Sequence, residues 1–120
     1  MKLTDLQLII LFGSHAKKTA GMFSDFDVAV LADHPFTLQE KIQVGELLAE
    51  KLNVSEESID VVDLWDAPPL LQYQIAQYGK LLQGNEVDFI RFKVLAWKRY
   101  QDTAKFRRIR EKVLTHIYAK

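Results

Sequence analysis

The sequence predicts an α/β (α+β) protein, a small mixed β-sheet with flanking helices and a long C-terminal helix. Three observations point there. Apolar runs of strand length recur at Leu6–Phe12, Asp25–Leu31 and Ser58–Trp65. Helix-length segments alternate with them, as expected where strands are joined by crossovers. Residues 86–118 contain neither proline nor glycine, so nothing breaks a final helix.

Each element has a local cause. Leu6–Phe12 ends at Gly13 and reads as a buried strand. Ser14–Thr19 suits one or two helical turns before Gly21. Asp25–Leu31 begins with alternation, ends as an apolar run, and stops before His34-Pro35. Thr37 and Glu40 are spaced as a capping box, each side chain satisfying an orphan backbone donor. Leu38, Ile42, Leu47, Leu48 and Leu52 then recur at helical spacing. Ser58–Trp65 is the third strand. Pro68-Pro69 suits a helix start, giving a short helix over Leu70–Tyr78 closed by Gly79. Lys80–Gln83 reads as a fourth strand. Glu86–Tyr118 is the long helix, with Ile90, Val94, Trp97, Ala104 and Val113 as its expected apolar stripe.

At 120 residues, a single domain is expected. Residues 1–85 hold 6 Lys/Arg against 12 Asp/Glu, a net of −6. Residues 86–120 hold 10 against 4, a net of +6. We therefore read 1–85 as a core and 86–120 as a helical extension packed on the same domain. The basic extension is either a surface for an acidic partner or a solvated helix face. There are no cysteines, which excludes a disulfide framework and thiolate chemistry. No apolar run is long enough to span a bilayer and no signal-peptide pattern opens the chain, so a cytoplasmic protein is expected.

The chemistry lies in residues 13–27, GSHAKKTAGMFSDFD. Gly13-Ser14 follows a buried strand directly; after ten residues, Asp25-Phe26-Asp27 opens the next strand. In a strand, i and i+2 share a face, so Asp25 and Asp27 aim the same way. Paired carboxylates repel unless a cation lies near, and hard cations such as Mg²⁺ take oxygen ligands. Asp60, near the start of the third strand, is the third candidate for catalysis and metal binding. Asp63 faces the opposite side and is the runner-up ligand. Gly13 lets backbone approach a phosphate, and the Ser14 hydroxyl with the following N–H groups can hold its oxygens. Lys17 adds charge, and Ser24 is counted with these nucleotide-binding residues. This is the donor set for two Mg²⁺ ions roughly 3.5–4 Å apart beside a triphosphate.

Gly13-Ser14, ten residues, then Asp25-Phe26-Asp27 resembles the signature of the nucleotidyltransferase beta superfamily. The small size resembles its minimal branch, the MNT domains, and the likeness covers most of residues 6–84. The resemblance implies the polymerase-beta-like fold, ATP as co-substrate and Mg²⁺ as cofactor. It implies triphosphate binding by Gly13 and Ser14, with Asp25, Asp27 and Asp60 on metal. It further implies an MNT antitoxin that transfers AMP to a tyrosine of a partner HEPN ribonuclease toxin. A hetero-oligomer with that toxin follows, with no membrane and no direct nucleic-acid partner. Two alternatives stand beside it: a small-molecule, aminoglycoside-like nucleotidyltransferase working with a helical partner subunit, and a non-catalytic antitoxin acting by binding. The chain departs from many relatives at His15, where they carry arginine, and it starts close to its first strand, without room for their N-terminal helix. Arg110, His116 and Tyr118 resemble the motif of the HEPN toxin itself. A HEPN domain is a multi-helix bundle, so the pattern on one helix is read as coincidence.

Overall fold

The computed structural model describes residues 1–14, 16 and 25–118. The strands are β1 (Leu8–Phe12), β2 (Phe26–Leu31), β3 (Ile59–Asp63) and β4 (Lys80–Gly84). The helices are α1 (Leu38–Leu52), α2 (Pro69–Tyr78) and α3 (Glu86–Tyr118). Short 3₁₀ turns at Leu3–Asp5 and Glu56–Ser58 lead into β1 and β3. β1 begins at Leu8, two residues later than the sequence reading started the strand. The helical turns expected at Ser14–Thr19 fall largely outside the described residues, as do Lys17 and Ser24.

The sheet order is β3-β2-β1-β4. β1 pairs antiparallel with β2 and with β4, while β2 and β3 run parallel. A parallel pair needs a crossover, and α1 supplies it. The capping box forms as expected: Thr37 N–H donates to Glu40 Oε1 at 3.1 Å, and Glu40 N–H donates to Thr37 Oγ1 at 3.2 Å. At its other end Asn53 turns left-handed, at φ 55°, and its N–H closes the last turn.

Helices cover both faces of the sheet. On one, Val44 and Leu48 of α1 pack with Ile9, Val28, Val30 and Val61. On the other, Ile75 of α2 and Phe89, Phe92 and Ala96 of α3 pack with Leu8, Ile10 and Ala29. β1 and the second half of β2 therefore read as continuous apolar runs because neither side faces water.

The apolar stripe expected on α3 requires correction. Ile90, Val94, Trp97 and Val113 are exposed, while Phe89, Phe92 and Ala96 face the core. The helix carries apolar residues on more than one face, so periodicity alone did not identify the one that packs. α1 forms over the expected positions; along it Leu38 and Ile42 are exposed and Val44, Leu48 and Ala49 are buried.

Candidate active site

The register assembles the site. Ile10 lies opposite Ala29, which lies beside Val62. This row is on the face covered by α2 and α3, where Ile10 and Ala29 join the core and Val62 packs against it. Two residues along, the same face carries the row Phe12, Asp27, Asp60. The apolar floor thus ends in two adjacent carboxylates at the start of the two parallel strands. Asp27 is half-buried and Asp60 exposed. Asp25 is exposed and stands one residue before β2.

Gly13 follows β1 directly with φ at 73°, in the left-handed region. A Cβ at this position would overlap a carboxylate oxygen of Asp27. Glycine is thus required twice, by the backbone conformation and by the acid packed against its Cα. The Gly13-Ser14 turn and Asp27 are neighbours in space, as the spacing along the chain suggested.

The donor chemistry fits a hard divalent cation. Among the described residues, no three His, Cys, Asp or Glu side chains are grouped closely enough to hold one ion between them. Mg²⁺ does not need such a cage: it is commonly held by one or two carboxylates, with water and substrate phosphates completing its shell. Asp27 and Asp60, side by side, supply two carboxylates, and Asp25 is the next one along the chain.

Asp63, the runner-up ligand, has a different role. It is 5% exposed and points to the face opposite Asp60. Its carboxylate accepts the N–H of Phe36 at 2.9 Å and that of Trp65 at 3.0 Å. It ties the approach to α1 to the exit of β3, and its oxygens are spent on backbone donors.

Sequence reasoning missed Gln72 as well. It is 4% exposed, and its Nε2 donates to the carbonyls of Leu64 and Ala67 at 3.1 and 2.9 Å. Its Oε1 accepts Arg99 Nη1 at 3.0 Å, joining α2 to α3 behind the site. A polar residue in a short apolar helix, two residues after Leu70, was the available signal. His34, near the capping Glu40, lies between two acids. Its ring nitrogens lie 2.6 Å from Asp33 Oδ1 and 2.8 Å from Glu40 Oε2. The bonds to Glu40 and then Asp33 raise its pKa, and the bond to His34 lowers that of Glu40.

The polymerase beta nucleotidyltransferase family matches residues 1–88. A protein adenylyltransferase MntA of Shewanella oneidensis is 36% identical over 96 residues, spanning 80% of this chain and 67% of the relative. A toxin–antitoxin crystal structure with AMP-PNP superposes with a TM-score of 0.77 at 34% identity, covering 92% of this chain and 87% of the other. Another match is a tri-AMPylated Shewanella oneidensis HEPN toxin in complex with its MNT antitoxin. It has a TM-score of 0.70 at 32% identity and covers 93% and 86% of the two chains.

Proposed function

The chain belongs to the polymerase beta nucleotidyltransferase family, and from that premise we propose that it is an antitoxin that transfers AMP from ATP to a tyrosine hydroxyl of a partner HEPN ribonuclease toxin, neutralising it. The observation that carries this reading is the row Phe12–Asp27–Asp60 with Gly13 packed against the Asp27 carboxylate. A turn able to receive phosphate oxygens thereby adjoins two acids able to receive metal.

Gly13 and Ser14 bind the triphosphate, with Lys17 and Ser24 assigned to the same task. Asp25, Asp27 and Asp60 are the residues that would hold Mg²⁺, two ions in this reading. When bound, the metal supplies positive charge against the triphosphate and the departing pyrophosphate. The protein's contribution is positioning: β1 fixes the phosphate turn, and β2 and β3 fix the acids in register beside it.

The partner docks on α3 in this reading. Val87, Ile90, Val94 and Trp97 are exposed along it, with Lys93 and Lys98 among them. An exposed apolar stripe on a basic helix suits a partner surface better than solvent. Arg107 is partly committed within the helix, lying over the Tyr100 ring and donating to Thr103 Oγ1 and the Tyr100 carbonyl. Among the described residues no helix is long and apolar enough to cross a membrane. We place the protein in the cytoplasm, where ATP is supplied.

The test is a mass measurement. The purified chain is incubated with MgATP and its partner toxin, and intact masses are recorded. Mass steps of one AMP on the toxin, absent with Asp27→Asn, bear the reading out. Neutralisation of the toxin with no mass step would replace it with inhibition by contact alone. Transfer only to a small alcohol would replace it with the small-molecule activity.

A further inference from the structure

A cleft of about 420 Å³ opens at the end of the sheet opposite the acids. It lies where β2 ends at Leu31 and β3 gives way to Leu64, and Arg91, Leu95 and Arg99 of α3 form one wall. Those three positions recur four residues apart and so share a face of the helix. Neither Val94 nor Trp97 lines the cleft, and no residue of the Phe12–Asp27–Asp60 row does.

Two groups in the cleft are already held in place. Trp65 is 52% exposed, yet its indole N–H donates to the Ala32 carbonyl at 3.0 Å, which fixes the ring. Gln72 is buried at the back. Its Nε2 is spent on the Leu64 and Ala67 carbonyls, so its Oε1 is left to accept Arg99 Nη1 at 3.0 Å. That bond uses one of the five N–H donors of a guanidinium and orients the rest. At the rim Arg91 stands 4.0 Å from Asp88, so these two charges offset each other. Arg99 remains as the cation of the cleft. Leu31, Leu64, Phe92 and Leu95 complete the apolar walls.

We propose that this cleft is a binding site for a small planar aromatic acid, with its ring on Trp65 and its carboxylate on Arg99. Mostly apolar walls with a few fixed polar groups, in a volume of this size, are the usual build of a small-molecule site. A fixed aromatic face favours a ring over an aliphatic chain, because stacked rings attract beyond the area that they bury. An oriented guanidinium favours a carboxylate, which it can hold through two parallel hydrogen bonds. A sugar would leave hydroxyls unpaired against Leu31, Leu64 and Phe92. Both halves of the site are set before binding, so little ordering is left for the ligand to impose. The proposal stands apart from the nucleotidyltransferase reading and needs neither nucleotide nor toxin.

The experiment titrates the ¹⁵N-labelled full chain with naphthoate. Its neutral amide, naphthamide, and the non-planar cyclohexanecarboxylate are the controls. Naphthoate is expected to shift the Trp65 indole N–H, the Arg99 side-chain N–H and the amides of Leu64 and Leu95. Each control should bind at least about tenfold more weakly, the scale of one lost charge-assisted hydrogen bond or ring stack. Leu95→Glu, at an exposed position on the wall, should abolish binding and leave the urea midpoint in place. Arg99→Met should bring the affinities for naphthoate and naphthamide together. Equal affinity for those two probes in the unaltered chain would overturn the site. So would undiminished binding to Leu95→Glu, shifts centred on Val94 and the Trp97 indole instead, or no saturable shift at all.

Discussion

The two sides of β3 carry acids with opposite fates. Asp60 projects onto the α2 side at the end of an apolar row and is exposed. Asp63, three residues on, projects onto the α1 side, is buried, and accepts two backbone N–H groups. In the proposed function, the difference separates a working acid from a structural one. A carboxylate saturated by fixed amides has little left for a cation, whereas an exposed one beside another acid remains available. Substitution can break this comparison. Asp27→Asn and Asp60→Asn should each reduce AMP transfer by at least about a hundredfold, the scale of removing one well-placed group that stabilises transition-state charge. Urea midpoints should stay near the wild-type value. If Asp60→Asn unfolds the chain as readily as it silences it, the distinction fails.

Asp63→Ala is the converse and the next largest effect. It leaves the Phe36 and Trp65 amides without their acceptor, at a cost of about 2–3 kcal/mol. Urea denaturation should record that loss, and transfer per folded molecule should survive at low temperature. Gly13→Ala tests how tightly phosphate turn and acid are joined. The left-handed φ alone costs a non-glycine residue about 1–2 kcal/mol, and the new methyl must displace the Asp27 carboxylate. Stability and transfer should therefore fall together, unlike in either aspartate series.

Much of this was legible before the structure. The Gly13-Ser14 and Asp25-Phe26-Asp27 spacing brought turn and acid together because strand alternation and a simple β1–β2 pairing leave few arrangements. The Thr37/Glu40 box was legible because capping is local. What escaped was whatever depended on tertiary contact. The use of Asp63 is set by Phe36, 27 residues away. The role of Gln72 is set by carbonyls at the exit of β3 and by Arg99. On α3 the choice between apolar faces was made by the sheet, which took Phe89, Phe92 and Ala96 and left Val94 and Trp97 outside.

That rejected face gives a second contrast, between the sheet that carries the proposed chemistry and the helix proposed to dock. Val94→Glu with Trp97→Glu should weaken toxin binding by at least about tenfold, or 1.4 kcal/mol. Because both positions are exposed, stability should move by no more than about 0.5 kcal/mol. Calorimetric titration of the toxin decides it, and unchanged affinity would move the docking surface elsewhere.

The smallest effect comes from His34, at the mouth of α1 and away from the acids of the β2–β3 row. Its bonds to Glu40 and Asp33 raise its folded pKa, so its contribution is fully present below the ordinary imidazole value near 6.5 and is lost as pH rises through the raised value. Glu40 is shifted down by His34, so its contribution is present above the ordinary carboxylate value and is lost as pH falls through the lowered one. Both hold only between those limits, on the mildly acidic side of neutrality. His34→Ala should therefore lower the melting temperature slightly near pH 5.5 and not at all well above neutrality. Because the pair is solvent-exposed, salt should shrink the difference. A deficit independent of pH would mean that His34 acts through its edge-on contact with Phe36 and not through its charge.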